Sequence, residues 1–202
     1  MRIAIFASGS GSNAEALIRK AQELSDKISV EFVLTDRQDA FVLQRAQIHQ
    51  VRSHIVERTS TRKDHEDAIL KHVDEYRIDW IFLAGYMRLI GASFLQALRE
   101  RHQGASQILN IHPSLLPAYP GTDSIERAYK DQVSKSGVTI HQVDEGMDTG
   151  PIILQQSLPL LAGESLADFK ARVHQLEHSL YTQVLTDIAF NKIPTQRYMR
   201  TS

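Results

Sequence analysis

The feature of the sequence that most constrains the fold is an alternation of short apolar runs with segments of helical period. Five apolar runs have the length of β-strands, at residues 3–7, 28–35, 51–56, 79–84 and 108–111. Between them lie four segments of helical period, which begin near residues 14, 40, 62 and 94. Because each helix returns the chain to the edge from which the previous strand started, this pattern predicts a parallel sheet with helices on both faces.

The pattern changes after residue 120. A short helix is predicted over 124–130, and two strands, 138–143 and 152–161, then follow with only a loop between them. Such a pair indicates a hairpin-like addition to the same sheet, and a long helix is predicted over 165–189. The predicted fold class is therefore α/β, a doubly wound, mostly parallel sheet of about seven strands. No linker, repeat or low-complexity tract is evident, so a single domain spanning residues 1–202 is predicted.

Composition limits the classes of partner. The chain carries 23 Lys plus Arg against 24 Asp plus Glu, a net charge of −1, which gives no electrostatic basis for binding nucleic acid or an anionic membrane. No apolar run approaches the roughly 20 residues that a membrane span requires. The absence of cysteine excludes disulfides and thiolate metal sites. The sequence predicts a cytoplasmic globular protein with small polar ligands, and it leaves the oligomeric state open.

A glycine-rich loop, here called the glycine loop, follows the first predicted strand. It comprises Ser8 to Asn13, reads Ser-Gly-Ser-Gly-Ser-Asn and leads into a helix. The glycines allow a sharp turn and expose backbone N–H groups at the helix start, which favours a phosphate. Ser12 and Asn13 add side-chain donors, and these suit a terminal phosphate.

The glycine loop also matches the loose dinucleotide-binding pattern. Gly9 and Gly11 are followed by Ala14 at the third position of that pattern. Asp36 lies at the end of the second predicted strand, about where a ribose-binding acid would be expected. On this segment alone, a nicotinamide-dependent enzyme and a monophosphate-binding protein fit the sequence about equally well.

Two polar side chains end the fifth predicted strand. Asn110 and His112 are two residues apart, so in a strand they share a face and emerge together at its carboxyl end, where open α/β sheets bind ligands. An amide donor beside an imidazole suits a carbonyl that becomes an oxyanion. The alternative is a strand end that merely caps a turn. Pro113 and Pro117 favour the site, because they fix the backbone around the pair.

The predicted helix over 62–76 carries its apolar residues on one face. The charged residues and the histidines between them, including His65 and His72, are therefore predicted to form a solvated face without a role in chemistry.

The last predicted helix contains the pattern H-x-x-E-H, formed by His174, Glu177 and His178. This pattern occurs in zinc peptidases. No further ligand helix is apparent, so the sequence predicts no metal site, and a solvated or substrate-facing Glu177 is the expectation.

Four motifs taken together resemble the phosphoribosylglycinamide formyltransferase family. In chain order they are Gly-Ser-Gly-Ser-Asn at 9–13, Ala-Gly-Tyr-Met-Arg at 84–88, Asn-Ile-His-Pro-Ser-Leu-Leu-Pro at 110–117 and Asp-Thr-Gly-Pro at 148–151. The likeness runs from residue 2 to about residue 193. It implies the same kind of sheet as the periodicity does. It also implies transfer of the formyl group of 10-formyltetrahydrofolate, a co-substrate, to the glycinamide amine of phosphoribosylglycinamide in purine (IMP) synthesis.

The resemblance implies roles for individual residues. The catalytic set would be Asn110, His112 and Asp148. The residues implied to bind the ribonucleotide are Gly11, Ser12, Asn13, His174 and Glu177. Those implied to bind folate are Arg62, Met87, Arg88, Leu89, Ile90, Asn110, Val143, Asp144 and Asp148. The phosphate-binding half of the domain would cover about residues 1–100, and the folate and catalytic half about residues 101–202.

The chemistry implied by the resemblance needs no metal. The substrate amine attacks the formyl carbon, while Asn110 and a protonated His112 donate to the formyl oxygen. Asp148 favours the imidazolium by its charge, and it holds a water that carries a proton from the amine to the departing folate nitrogen. One departure from many relatives is visible, because Thr122 and Asp123 replace an apolar residue and a histidine after the Pro-Gly pair. The role of that loop is left open.

Other activities explain less of the sequence. A methionyl-transfer-RNA formyltransferase would need an additional basic domain, and a formyltetrahydrofolate hydrolase usually carries an amino-terminal regulatory domain. A nicotinamide-dependent oxidoreductase or a non-catalytic nucleotide sensor explains the glycine loop but gives no task to Asn110, His112 and Asp148.

Overall fold

A central β-sheet organises the chain, which the structure, a computed structural model, describes over residues 1–57 and 61–193. Its strands are β1 (Arg2–Phe6), β2 (Ser29–Thr35), β3 (Ser53–Ile55), β4 (Trp80–Leu83), β5 (Ile108–His112), β6 (Lys135–Gln142) and β7 (Ile152–Pro159). They form one seven-stranded sheet in the order β3-β2-β1-β4-β5-β6-β7. The strands β1 to β5 pair in parallel, whereas β6 is antiparallel to β5 and to β7. The predicted mostly parallel sheet with a hairpin-like addition is confirmed.

The strand bounds differ from those predicted by at most one residue at each end, except at β3, at the start of β6 and at β7, which ends at Pro159 rather than at residue 161. β3 is shorter than the predicted 51–56, because only residues 53–55 pair with β2. β6 begins at Lys135, before the predicted apolar run, because Gly137 lets the backbone approach β7 closely. A Cβ on Gly137 would lie 2.2 Å from the carbonyl oxygen of Gln156, so the pairing requires glycine at this position.

Six helices cover the two faces of the sheet in the part of the chain that the structure describes. They are α1 (Ser12–Glu23), α2 (Val42–Ile48), α3 (Arg62–Glu75), α4 (Ala92–Arg101), α5 (Ser124–Lys130) and α6 (Leu166–Ala189). Alternate residues of β1 show the division: Ile3 and Ile5 pack with α1 and α6, whereas Ala4 and Phe6 pack with α3 and α4. Buried side chains on both faces explain why the strands read as nearly continuous apolar runs.

The strand order reverses between β1 and β4, because the chain runs from β1 outward to β3 and then returns to the other side of β1. The loops after β1 and β4 separate at such a point and leave a crevice at the carboxyl ends of the strands. Tyr181 of α6 joins two neighbouring strands near this crevice. Its hydroxyl donates to the carbonyl oxygens of Leu83 on β4 (2.9 Å) and Leu109 on β5 (3.1 Å).

The prediction of a solvated face on α3 is wrong at two positions. Both are buried: 6% of the surface of His65 is exposed and 4% of that of Glu66. Periodicity does not predict this burial, because it depends on specific polar partners. His65 contacts the hydroxyl of Tyr86, and Glu66 accepts from the Gly91 N–H. Within residues 1–57 and 61–193, no helix is both long enough and apolar enough to cross a membrane.

Candidate active site

A cleft of about 810 Å³ lies at the carboxyl ends of the strands. Its walls come from the glycine loop, the loop after β4, the end of β5, residues 121–126 at the start of α5, the end of β6 with the loop that follows it, and α6. Of the residues predicted to be functional, it is lined by Gly11, Ser12, Asn13, Met87, Arg88, Leu89, Ile90, Asn110, His112, Val143, Asp144, Asp148, His174 and Glu177. Arg62 does not line the cleft. Its Cδ lies beside Gly91, 3.2 Å from where a Cβ of that glycine would stand.

The glycine loop lines the cleft with residues 9–13. Gly11 is the residue before α1, with φ of 73°. A Cβ at this position would lie 2.4 Å from Cγ2 of Val42, so the loop requires glycine. No side chain in the described ranges caps α1, which leaves N–H groups of its first turn for an anion. The Oδ1 atom of Asn13 is buried and has no hydrogen-bond partner among the described residues.

An acidic residue in the first turn of α1 would oppose anion binding if it stood alone. This residue, Glu15, is instead paired with Arg45 and with Arg19 (3.1 Å), and its Oε1 lies 3.1 Å from Nε2 of His49. Arg45 also donates from Nε to the carbonyl oxygen of Ser10 at 2.8 Å. The charge of Glu15 is thus compensated, and the same guanidinium holds the glycine loop in place.

Asp36 does not serve as the free ribose-binding acid that a dinucleotide enzyme would need. Only 8% of its surface is exposed, and its Oδ2 accepts a hydrogen bond from Nε of Arg88 at 2.7 Å. Burial would raise the pKa of Asp36, but hydrogen bonds from Ser8 and Arg88 and the charge of Arg88 outweigh it and hold the pKa below its ordinary value. The carboxylate therefore fastens the loop after β4 to the end of β2.

The three predicted catalytic residues meet at the end of β5. The Oδ2 of Asp148 lies 3.4 Å from Nδ1 of His112 and accepts the Gly121 N–H at 2.8 Å. Its Oδ1 accepts from Nδ2 of Asn110 at 3.3 Å. Asp148 itself has φ of 57°, in the left-handed region that Asp and Asn tolerate better than most residues. This conformation brings a loop residue back against a strand 38 positions earlier.

Asp148 is a carboxylate over the whole neutral range. Burial would raise its pKa, but a hydrogen bond from His141, the Gly121 N–H and the positive charges of His112 and His141 lower it to about 2. A carboxylate this acidic is a poor final acceptor for a proton. It is better suited to stabilising a neighbouring imidazolium and to orienting a polar group beside it.

His141 belongs to the same cluster and was missed in the sequence. It stands opposite Asn110 in the antiparallel pairing of β6 with β5. Its Nδ1 donates to the carbonyl oxygen of Gln142 at 2.7 Å, so in the neutral ring Nε2 accepts from Asn110 at 3.2 Å. In the imidazolium form Nε2 faces Oδ1 of Asp148 at 3.5 Å. The signal was a histidine inside an apolar run, but its partner depended on a strand pairing that periodicity does not give.

The donors implied for the formyl oxygen are engaged by the protein itself. Nε2 of His112 lies 2.8 Å from the carbonyl oxygen of Tyr119, and since a carbonyl only accepts, Nε2 carries a proton. The amide of Asn110 is directed at Asp148 and His141. A ligand oxygen must therefore replace one of these contacts, and such a site provides donors that are already oriented.

The opposite wall of the cleft, on α6, carries the predicted ribonucleotide contacts. Glu177 is buried, with 4% of its surface exposed, and it lines the cleft, so of the two alternatives expected for it the structure excludes the solvated one and agrees with a side chain that faces the cleft. Its Oε2 lies 2.7 Å from Nδ1 of His174, and this hydrogen bond raises the pKa of His174. Burial lowers the pKa of His178. Among the described residues, no group of three or more His, Cys, Asp or Glu is arranged to hold a metal ion.

The loop after β4, residues 85–91, forms the apolar mouth of the cleft. Met87 and Leu89 are exposed there. The loop is tied down by the hydroxyl of Tyr86, 2.8 Å from Nε2 of His65, and by the Gly91 N–H, which donates to Glu66 at 2.7 Å. These two hydrogen bonds anchor the loop at both ends while Met87 and Leu89 stay exposed, an arrangement that suits a flat apolar ligand.

Known proteins are similar to this chain in fold and in sequence. The formyl transferase family model matches residues 1–185. The chain is 39% identical over 189 residues to the phosphoribosylglycinamide formyltransferase of Bacillus subtilis (strain 168), covering 93% of this chain and 94% of that protein. It is 34% identical over 195 residues to the Escherichia coli (strain K12) protein of the same name, covering 96% and 89%. A crystal structure of the Bacillus halodurans phosphoribosylglycinamide formyltransferase is similar with a TM-score of 0.87 and 37% identity, covering 99% of this chain and 100% of that one.

Proposed function

The chain belongs to the formyl transferase family, and we propose that it transfers the formyl group of 10-formyltetrahydrofolate to the amine of 5′-phosphoribosylglycinamide in purine synthesis. The observation that carries the proposal is the convergence of Asn110, His112 and Asp148 at one end of a cleft whose other end is the glycine loop. A phosphate anchor and an oxyanion and proton-transfer site then face one ligand space, as a ribonucleotide amine and a formyl donor require.

The reaction joins the amine nitrogen to the formyl carbon and breaks the bond from that carbon to the folate nitrogen, while a proton passes from the amine to the departing nitrogen. Asn110 and His112 donate to the formyl oxygen as it gains charge, in place of their present contacts with Asp148 and Tyr119. Asp148, anionic at neutral pH, stabilises the imidazolium and orients the water that relays the proton.

The remaining ligand contacts are proposals of the same kind. We infer that Gly11, Ser12 and Asn13 bind the phosphate and ribose, and that His174 and Glu177 bind the glycinamide part. The folate would lie against the residues lining the loops, namely Met87, Arg88, Leu89, Ile90, Val143 and Asp144, with Arg62 at its outer end.

We also propose that residues 1–202 form a single domain. The phosphate-binding part would fall mainly in residues 1–100 and the catalytic part in residues 101–202. A cytoplasmic location stays a prediction from composition.

The test is a direct assay. Purified protein is mixed with 10-formyltetrahydrofolate and the ribonucleotide, and the absorbance change of the folate is followed. We expect turnover only when both substrates are present. Release of formate without the ribonucleotide would indicate a hydrolase instead. A parallel fluorescence titration with NADH should show no saturable binding, and tight binding would indicate that the glycine loop has been misread.

A further inference from the structure

The loop over residues 119–122, here called the 119–122 loop, contacts two catalytic side chains through its backbone. The carbonyl oxygen of Tyr119 accepts from His112 at 2.8 Å, and the Gly121 N–H donates to Asp148 at 2.8 Å. These two contacts fix the ring of His112 and one oxygen of Asp148. The position of the loop backbone therefore decides where both groups stand.

This loop is not held by its own conformational preferences. Tyr119 and Gly121 both lie in the left-handed region, with φ of 54° and 76°, and Asp123, the next residue after the loop, has φ of 55°. For a residue with a Cβ this region costs free energy, so the conformation at Tyr119 and Asp123 requires support from the surroundings.

The support comes from α5 and from the residue after it, Asp131, whose Oδ2 accepts from the hydroxyl of Tyr119 at 2.9 Å. Arg127 donates from Nε to the carbonyl oxygen of Thr122 at 3.1 Å and from Nη2 to that of Pro120. Its guanidinium also lies over the ring of Tyr119, 5.7 Å from the ring centre. The side chain of Arg127 therefore binds the backbone on both sides of Gly121 and also contacts the ring of Tyr119.

Arg127 is close to the reaction without taking part in it. It is not among the residues that line the cleft in the described part of the chain. Any influence on the reaction must pass through the loop. Substrate affinity should change less than kcat, because most of the proposed ligand contacts lie on other elements, although Gly121 and Thr122 also line the cleft.

We propose that Arg127 is a positioning residue, which acts through the 119–122 loop to hold Asp148 in its reactive placement and to orient the ring of His112 in the substrate-free site, before the formyl oxygen replaces the Tyr119 carbonyl. The inference rests on the proposed function for its kinetic consequence, but its structural consequence for His112 can be measured without substrates. It also assigns a role to the backbone of the loop at which this chain departs from many relatives, since Arg127 holds the main-chain carbonyl of Thr122, which does not depend on the side chain at that position.

The first test is kinetic. Arg127→Met keeps an unbranched stem as far as the position of Nε and removes every donor, and it should lower kcat about tenfold or more with the KM of each substrate changed by less than about twofold. Arg127→Lys, with a single ammonium in place of the planar fork, should fall between that variant and the wild type. The matched control is Arg172→Met, which removes the ion pair from Arg172 of α6 to Glu164, before the start of that helix, and should leave kcat unchanged.

The second test is spectroscopic and uses the substrate-free protein with nitrogen-15-labelled histidine. The Nε2–H of His112 is held by the Tyr119 carbonyl, so its proton should exchange slowly in the wild type and in Arg172→Met, and rapidly in Arg127→Met. If Arg127→Met does not fold, the same two measurements on Arg127→Lys decide, with smaller changes of the same sign.

The outcomes separate the two proposals. The positioning role is overturned if the wild type is active and Arg127→Met changes neither kcat nor the exchange of the His112 proton. If Arg127→Met does not fold, the same result with Arg127→Lys overturns it. A general loss, in which the KM of both substrates rises and Arg172→Met behaves alike, would reduce Arg127 to a stabilising residue. An inactive wild type in which the exchange still responds to Arg127 would overturn the formyl-transfer proposal and leave the contact from Arg127 to His112 in place.

Discussion

The two ends of the cleft are built in different ways. The glycine loop is a continuous stretch of six residues, Ser8 to Asn13, and it offers backbone N–H groups at the start of α1. The catalytic end is assembled from Asn110 and His112 on β5, His141 on β6 and Asp148 in the loop that follows β6. A backbone site depends on main-chain conformation and tolerates changes of side chain. A side-chain site depends on atoms that one substitution removes. Substitutions at the two ends should therefore fail in different kinetic parameters.

The largest effect is expected from Asp148→Asn. Asn tolerates the φ of 57° at this position, so the loop should keep its shape while the negative charge is lost. We expect kcat to fall on the order of a thousandfold, because proton transfer and stabilisation of the imidazolium are both weakened. Steady-state kinetics with both substrates provide the measurement. If Asp148 only shapes the turn before Gly150, the substitution would be nearly silent.

The next effect is expected from Asn110→Ala. Its amide is one of two donors for the formyl oxygen, and loss of such a donor typically costs about 2.7 to 4 kcal/mol, on the order of a hundredfold or more in kcat. The KM values for both substrates should change little, because the contact matters mainly when charge develops. An unchanged kcat would show that Asn110 does not stabilise the oxyanion. The side-chain site would then consist of Asp148 and His112 alone.

The backbone end is tested by Gly11→Ala. The added Cβ meets Val42 at 2.4 Å and has a φ that disfavours it, so the turn must shift and its N–H groups must move. We expect the KM for the ribonucleotide to rise about tenfold or more, with the KM for the folate nearly unchanged. Gly9→Ala is the stability control, since no described atom lies within 4 Å of its added Cβ. An equal rise in both KM values would contradict a phosphate role for this loop.

Acid stability offers a test that needs no substrate. The pKa of Asp148 is about 2 in the folded protein against an ordinary value of 3.8. Its contribution to stability is therefore present above pH 3.8 and is lost as the pH falls toward 2. A difference of this size corresponds to about 2 kcal/mol, and the side chain is only 11% exposed, so solvent screens it little. Urea unfolding at several pH values from 5 downward should show a smaller loss of stability in Asp148→Asn than in the wild type. Parallel curves would show that the carboxylate is not held as described.

The smallest effect is expected from Ser12→Ala. If the glycine loop binds phosphate mainly by its backbone, loss of one hydroxyl should raise the KM for the ribonucleotide by less than about tenfold, the value of a single hydrogen bond. Set beside Asn110→Ala, this pair of side-chain truncations measures the difference between the two ends directly. A large loss in Ser12→Ala would show that side chains do much of the binding at both ends.

The same difference explains how much of the molecule could be predicted from the sequence. Strands and helices followed from periodicity, and the glycine loop was visible because its two glycines lie two positions apart and precede a helical pattern. The grouping of Asn110 with His112 followed from the alternation along one strand. These features depend on neighbours in the sequence, and the sheet that they predict is the one in the structure.

What could not be predicted depends on partners far apart in the chain. His141 acquires a role only when β6 is placed beside β5, and His65 leaves the solvent only because Tyr86, 21 residues away, meets it. The pairing of Asp36 with Arg88 spans 52 residues and closes a position that the sequence left open to a ribose. Local pattern fixes which face a residue takes, whereas long-range contacts determine which polar groups are satisfied there.

The antiparallel register of β6 on β5 has a consequence for the order in which activity arises. Asn110 stands opposite His141 and His112 opposite Thr139, and a slip by one residue would turn His141 and Thr139 to the other side of the sheet. A chain in which β1 to β5 had formed but the hairpin of β6 and β7 had not docked would contain the glycine loop and no complete catalytic group. Turnover in this molecule thus requires the correct register of β6 on β5, whereas helix content and phosphate binding by the glycine loop do not depend on it.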